Sequence, residues 1–286
     1  MTFILFFQSL LVGMNLAAIY VLMALGLTLM FGILGIVNMA HGVLYMLGAY
    51  GMYYLYHLLG LNFYLAMVAT IGTVGLFGLV MERIFYRPVG GKFAPVIVIT
   101  LGLLIFFQAG GNLVFGYEPR GVTPPVAGVS NILGVGTANY RLVVILVTVI
   151  LVAGLYYLIH WTKTGRNMRA VEEDKIAAML QGVNANRINA LAFALGVGLA
   201  AAAGALIAPI YPIHPPMGTM PLLKAFMVIV LGGMGSIPGA ILGAIVIGLA
   251  DSLLAAAVGI ELAYIFALAL IIIILIIRPR GLLGAY

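Results

Sequence analysis

Long apolar runs separated by short polar segments make up most of this chain. No Asp, Glu, Lys or Arg precedes Glu82, and further charge-free runs cover residues 93–117, 142–162, 188–223, 225–250 and 262–277. A helix needs about 20 apolar residues to cross a bilayer, and these runs lack the short polar–apolar alternation of barrel strands. The pattern therefore predicts an all-α fold, in which residues 1–286 form a single polytopic transmembrane helix bundle.

The interruptions in the apolar runs predict where the membrane spans lie. The expected spans are at about 10–31, 39–57, 63–81, 95–115, 141–160, 188–210, 222–234, 239–257 and 261–277. Prolines between 209 and 221 forbid a continuous helix there. The glycine-rich segment 232–239 then leaves a crossing of only about 13 residues, which indicates a broken helix shielded from lipid by protein. The bundle is expected to make about eight or nine crossings.

The composition excludes several classes of function. Hydrophobic residues make up 65% of the chain and charged residues 7%, whereas an average soluble domain is about 25% charged. Lipid must therefore cover most of the surface. The 13 Lys and Arg residues are too few and too scattered for nucleic-acid binding, and the absence of Cys excludes disulfides and thiolate metal sites. We expect no catalytic residue, metal or cofactor on this chain.

The basic residues predict the orientation in the membrane. They concentrate in 83–92, in 163–187 and in the tail from Arg278 onward, and short Lys/Arg-rich segments stay in the cytoplasm. The loop 117–140 and the segment 211–221 would then be external. The pattern does not decide on which side Met1 lies.

A faint internal repeat fits this orientation. Aligning Gly35–Gly42 with Gly232–Gly239 also matches Tyr86–Val89 with Ile277–Arg280. Both Arg-Pro pairs end a span on the basic side, so the two copies would be parallel, and transporters often carry such duplications. Chance matches between glycine-rich membrane helices are the alternative explanation.

The most polar part of the chain is the segment 163–184. Asp174 is suited to an N-cap and Gly182 to a C-terminal stop, which predicts a short helix preceded by a mixed-charge turn. Its apolar face would carry residues spaced at i, i+3 and i+4, namely Ile176, Met179 and Leu180. Such a helix could rest on the membrane surface, but the acidic run 172–174 repels anionic lipid and favours a protein partner.

The segment 163–184 resembles the cytoplasmic coupling loop of ATP-binding-cassette importer permeases of the branched-chain amino acid (LivH/LivM) family. Other stretches resemble the LivH branch and follow in family order: 24–33 running into 38–42, 82–83 with 86–89, 231–239, and the closing 278–284. Together they extend over nearly the whole chain.

The resemblance implies a bacterial inner-membrane or plasma-membrane importer of branched-chain amino acids. Two permease subunits, this chain and a LivM-like partner, would form the pathway within the membrane lipid. Two ATPase subunits would bind ATP and Mg²⁺, and an external binding protein would deliver substrate. This chain has no G-x-x-x-x-G-K-[ST] loop of its own. The ATPase-coupling residues implied by the resemblance are Gly165, Arg166, Arg169, Glu172, Asp174, Ala177, Ala178 and Gly182.

Polar residues at the helix breaks are candidates for the translocation pathway. They are Asn38, His41, Gly42, Gly235 and Ser236. A helix opening near Met39 could point its amides at a substrate carboxylate, or Asn38 and His41 could instead bond the carbonyls freed by the break. Asp251 is a carboxylate inside a predicted span, where a pair with Lys224 or an interfacial position would explain it.

Other functions remain as alternatives. Permeases for urea and short amides resemble this family closely. An ion-coupled secondary transporter would need acidic groups or broken-helix carbonyls in the membrane. An intramembrane enzyme would need a pair such as Ser236 and His41, yet no G-x-S-x-G or H-E-x-x-H motif is present.

Overall fold

The computed structural model describes residues 3–90, 93–132, 134–278 and 281–283. Its helices in chain order are α1 (Phe3–Leu34), α2 (His41–Met52), α3 (Phe63–Met81), α4 (Phe93–Phe115), α5 (Asn139–Trp161), α6 (Lys163–Glu173), α7 (Lys175–Leu180), α8 (Ala185–Ile207), α9 (Thr219–Gly232), α10 (Ile237–Val258) and α11 (Ile260–Ile277). A π turn extends α2 over Tyr53–Leu58. A π turn (Glu82–Tyr86) and a 3₁₀ turn (Arg87–Val89) extend α3.

Within the described residues, seven helices are long and apolar enough to cross a membrane. They lie at Ile4–Leu34, Phe63–Val89, Phe93–Phe115, Asn139–Trp161, Ala185–Ile207, Pro215–Gly232 and Ile237–Val258. The predicted all-α polytopic fold is therefore confirmed. The first span is longer than the sequence predicts, and the segments 39–57 and 261–277 are not among these seven, so the count of eight or nine crossings stays a prediction.

The segment 117–140 differs from the irregular loop expected there. It contains a hairpin of two antiparallel strands, β1 (Val129–Ile132) and β2 (Val135–Ala138), with Val129 opposite Ala138. Buried and exposed positions alternate along β2, so that Val135 and Thr137 face the protein and the other two residues face outward. The short strands were missed because Pro and Gly around them dominate the local composition.

The basic segments meet at one end of the bundle. Arg87, at the end of α3, and Arg187, at the start of α8, line the same cavity. Glu172 of α6 lies beside Gly32 at the end of α1 and Gly235 at the start of α10. If these basic segments are cytoplasmic, as the sequence predicts, α1 ends on the cytoplasmic side and its first residues are external.

The segments expected to be external, 117–140 and 211–221, likewise meet at the opposite end of the bundle. The backbones of Arg120 and Ile213 exchange two hydrogen bonds of 2.9 and 2.8 Å. The Arg120 guanidinium also donates to the hydroxyl of Tyr53 at 3.0 Å and to the carbonyl of Phe115 at 2.8 Å. These contacts join 117–140, 211–221 and the outer ends of α2 and α4, as the expected topology requires.

Helices α1, α2 and α8 form the buried centre of the bundle. A Cβ on Gly48 of α2 would collide with the backbone of Ala201, and one on Gly204 of α8 would collide with the backbone of Tyr45. Small residues thus let these backbones touch, the usual way in which membrane helices pack closely. By contrast α4 lies at the periphery, where Leu113 is 86% exposed.

The helices α2 and α9 begin close to each other. The helix α9 has only 14 residues and follows the proline-rich segment and a 3₁₀ turn at Pro215–Gly218. A Cβ on Gly42, in the first turn of α2, would lie 2.5 Å from the carbonyl oxygen of Gly218. The starts of α2 and α9 are therefore in direct contact. The helix α9 is short, as expected, but together with the preceding 3₁₀ turn it forms an apolar segment of 18 residues that is long enough to cross a membrane.

The helix order agrees with a parallel repeat. In both α1–α3 and α9–α11, a glycine-containing break with positive φ follows the first helix, at Gly35 (φ 67°) and at Gly233 (φ 104°). The third helix of each copy is followed by an arginine, Arg87 or Arg278. Pro279, Arg280 and Gly284 of the closing motif lie outside the described residues, and the repeat stays a prediction.

Candidate functional site

The polar segment 163–184 begins with α6, where a helix replaces the expected mixed-charge turn. That expectation was wrong because Thr162 supplies an N-cap: its hydroxyl accepts from the Gly165 N–H at 3.0 Å. Gly165, Met168 and Val171 form a buried face at spacings of three residues. This periodic face packs α6 against the bundle. It is hard to recognise in the sequence because charged residues stand between its members.

Gly165 and Arg169 hold α6 to the preceding span. A Cβ on Gly165 would collide with the carbonyl oxygens of Leu158 and Ile159. The Arg169 guanidinium donates a hydrogen bond to the Ile159 carbonyl, which replaces a partner lost at the C-terminus of α5. Of these two coupling candidates, Gly165 is thus buried against the turn between α5 and α6, while Arg169 stays exposed and bonds back to the same turn.

The helix α7 begins where the sequence predicts. Asp174 has extended backbone angles (φ −151°, ψ 106°) that separate α6 from α7. Its carboxylate accepts from the N–H groups of Ile176 at 2.8 Å and Ala177 at 3.0 Å, which confirms the N-cap. Gly182, at φ 83°, follows the helix and confirms the stop.

The outward side of α7 is apolar and uncovered by this chain. Ile176 is 69% exposed, Leu180 is 81% exposed and Met179 is 46% exposed. Arg166 and Ala177 are exposed as well. Ala178, in contrast, is buried within the chain, so only Ala177 of the expected alanine pair is free to contact a partner.

Glu172 connects α6 to two helix ends in the bundle. Its carboxylate oxygen lies 2.6 Å from the position that a Cβ on Gly32 would occupy, and 3.7 Å from the corresponding position on Gly235. The residue as a whole stays exposed, but partial desolvation of its carboxyl against these helices raises the pKa of that group above its usual value. Glu172 thus places α6 against the end of α1 and against the break before α10.

The break between α1 and α2 is held by buried polar groups. The Asn38 side-chain oxygen accepts from the Ala40 N–H at 2.9 Å and from the Tyr86 hydroxyl at 2.8 Å. The imidazole of His41 is fully buried, and its Cε1 lies 2.8 Å from where a Cβ on Gly26 would be. Asn38 thus has a structural role, but as an acceptor from N–H and O–H groups instead of a donor to freed carbonyls.

The second break is joined to the chain's tail. The Ser236 hydroxyl accepts from the Gly239 N–H at 3.1 Å and caps α10, while Gly235 takes φ 87°. The N–H groups of Leu282 and Leu283 donate to the last carbonyls of α9 at 2.7 and 2.9 Å. The tail therefore supplies hydrogen-bond donors to two carbonyl groups that lack a partner within α9.

Inside the bundle, an ion pair links α9, α10 and α1. The Lys224 ammonium lies 2.6 Å from one carboxylate oxygen of Asp251, and the side chains are 9% and 12% exposed. The Tyr20 hydroxyl donates to the other carboxylate oxygen at 3.0 Å. The expected pairing of Lys224 with Asp251 is confirmed. The role of Tyr20 could not be predicted from the sequence, because no local pattern distinguishes it from an interfacial tyrosine.

The structure gives no support to enzymatic chemistry at the breaks. His41 lies beside Gly26, whereas Ser236 follows Gly235, which lies beside Gly32. Six residues of α1 separate these two positions, about 9 Å along a helix, so Ser236 and His41 are not brought together. No cluster of metal-binding side chains occurs in the part of the chain that the structure describes.

Comparison with known proteins identifies the family. The family model described as branched-chain amino acid transport system / permease component matches residues 9–275. The permease protein LivH of Salmonella typhimurium is 34% identical over 99% of this chain and 96% of its own length. BraD of Pseudomonas aeruginosa is 34% identical over 98% and 96%, and LivM of Escherichia coli is 26% identical over 94% and 68%. No solved structure shows a significant match. The chain therefore belongs to the permease components of branched-chain amino acid transport systems, and within that family it is of the LivH type.

Proposed function

We propose that this chain is one of two permease subunits of an ATP-driven importer that moves branched-chain amino acids across the bacterial inner or plasma membrane. A LivM-like chain would be the second permease, two ATPase subunits would hold ATP and Mg²⁺, and an external protein would deliver the substrate. The family match and the high-affinity branched-chain amino acid transport named for LivH and BraD support the substrate class.

One observation supports α6 and α7 as the ATPase-docking element. The segment is seated on the bundle by Gly165, Met168 and Val171, yet the side chains of Ile176 and Leu180 face away from it. An apolar pair on a rigidly held cytoplasmic helix suits a groove in a partner protein. Glu172 would then pass the movement of α6 to the ends of α1 and α10.

The pathway residues belong to the same proposal. Gly42 lies where the starts of α2 and α9 meet, and Gly235 and Ser236 lie at the break that Glu172 touches. Helix starts within the membrane offer partial positive charge to a substrate carboxylate. Asn38 would support this site indirectly because its oxygen is already occupied, and His41 would line it only after the helices separate.

Docking is tested with the double variant Ile176→Asp/Leu180→Asp in the complete importer reconstituted into proteoliposomes. Both positions are exposed, so we expect normal insertion, loss of ATPase co-purification and at least about a tenfold drop in ATP-dependent leucine uptake, since two charges would face an apolar groove. Val129→Asp, an exposed apolar-to-Asp change on the external hairpin, is the matched control. Normal uptake by the double variant would contradict the docking assignment.

Substrate and energy source are tested in the same proteoliposomes. We expect uptake of labelled leucine to exceed uptake of labelled urea and to require ATP and the ATPase subunits. Preference for urea would contradict the substrate class. Leucine uptake by the permeases alone would contradict ATP coupling and favour a secondary transporter.

A further inference from the structure

A cavity at the cytoplasmic ends of α3 and α8 is unexplained by transport or by ATPase docking. It has a volume of about 470 Å³. Three arginines line it: Arg83 and Arg87 from the turns that extend α3, and Arg187 from the first turn of α8. Two separate segments of the chain thus bring positive charge to one concave site.

The three guanidinium groups remain available to a ligand. In the described part of the chain, none of them makes a hydrogen bond or an ion pair within 4.0 Å, and all three residues are exposed. The buried carboxylate of Glu82 interacts electrostatically with Arg83 and Arg87. One carboxylate cannot neutralise three arginines, so the cavity keeps an excess of positive charge and selects an anion.

The wall of the cavity continues into the membrane. Leu79 and Ala190 line it from within the spans Phe63–Val89 and Ala185–Ile207. Next to them in sequence, Val80 is 51% exposed and Leu191 is 43% exposed, as expected for side chains that face lipid. A ligand with a phosphate at the arginines and hydrocarbon along these helices would match both parts of the site.

We propose that this cavity binds the headgroup of an anionic phospholipid from the cytoplasmic leaflet. Arg83, Arg87 and Arg187 contact its phosphate, for which the planar, doubly donating guanidinium is suited, and the acyl chains lie beside Leu79 and Ala190. Basic pockets between membrane helices on this side are suitable headgroup sites. A carboxylate of an ATPase subunit would satisfy the arginines but not the apolar wall, so lipid is the better occupant.

The test measures phosphatidylglycerol binding to the purified full chain in neutral detergent, by native mass spectrometry and by titration. We assign to each arginine that lines the cavity a contribution of about fivefold, the size typical of a basic residue held against an anionic lipid headgroup. We therefore expect the triple variant Arg83→Gln/Arg87→Gln/Arg187→Gln to bind phosphatidylglycerol on the order of 100-fold more weakly, with phosphatidylcholine binding unchanged. Should the triple variant fail to fold, Arg187→Gln alone, at the exposed start of α8, should weaken binding about fivefold.

The matched control removes three cytoplasmic positive charges outside the cavity, as Lys163→Gln/Arg166→Gln/Lys175→Gln. It should retain wild-type phosphatidylglycerol affinity. Equal loss in both triple variants would overturn the proposal, because the effect would then be general surface charge. Inorganic phosphate binding as tightly as phosphatidylglycerol would overturn the lipid assignment, as would displacement of phosphatidylglycerol from wild type by added ATPase subunits.

Discussion

The ion pair between Lys224 and Asp251 offers a direct test of how the broken helix α9 is held in the bundle. Its atoms are 2.6 Å apart, and neither side chain is more than 12% exposed. Removing one member of such a buried pair leaves the other charge poorly compensated, which typically costs about 3–5 kcal/mol. Replacing both with apolar residues of similar size is often close to neutral.

We therefore expect Lys224→Met to lower the free energy of unfolding by about 3–5 kcal/mol. The Asp251 carboxylate would keep its hydrogen bond from the Tyr20 hydroxyl, 3.0 Å away, and one neutral hydrogen bond contributes only about 1 kcal/mol. The double variant Lys224→Met/Asp251→Leu should recover most of the loss, giving an interaction energy of at least about 2 kcal/mol in the cycle.

The measurement is unfolding of the purified full chain by SDS titration in mixed micelles, followed by circular dichroism, for wild type, both single variants and the double variant. Tyr20→Phe serves as the control that removes a hydrogen bond but leaves both charges. Single-variant losses below about 1 kcal/mol that simply add in the double variant would refute the reasoning, since the pair would then be no stronger than an exposed one.

Two further variants test the packing of the core and the environment of Glu172. Gly204→Val should lower the free energy of unfolding by about 3 kcal/mol or more, because its side chain would collide with the backbone of Tyr45. The control Gly72→Val, at a glycine with open space around it, should change it by less than about 1 kcal/mol; equal losses in SDS titration would contradict the close contact of α2 with α8. Glu172→Gln should raise the thermal unfolding midpoint at pH 7, because burial raises the pKa of the Glu172 carboxyl and so penalises its ionised form in the folded chain. That gain should disappear as the pH falls below the usual pKa of 4.5, where the wild-type carboxyl is already protonated; a midpoint difference that does not depend on pH would contradict the burial.

The structure also changes which coupling variants are informative. A charge at Gly165 would be driven into the carbonyls of Leu158 and Ile159, and Arg169→Glu would remove a contact with the Ile159 carbonyl. Both changes disrupt the packing of α6 against α5. A loss of uptake would therefore not distinguish failed ATPase docking from misfolding of the permease. Ile176 and Leu180 are better test positions because they face away from the chain.

Local composition by itself determined the class of protein, most of the span positions and the caps of α7. These follow from short-range physics: the length of an apolar run, the distribution of basic loops and the hydrogen bonds that Asp174 makes to its own helix. The same reasoning indicated the breaks near Gly35 and Gly233, where positive φ favours glycine.

Only the tertiary structure decided which faces of those helices meet. The inward position of Ala178, the contact of Glu172 with Gly32, and the meeting of Arg83 with Arg187 join residues that are far apart along the chain or equivalent in local pattern. In a helix that is apolar on every side, lipid and protein neighbours select similar side chains. The spacing of apolar residues therefore says little about which faces of these helices pack together. Close backbone contacts at glycines identify those faces instead.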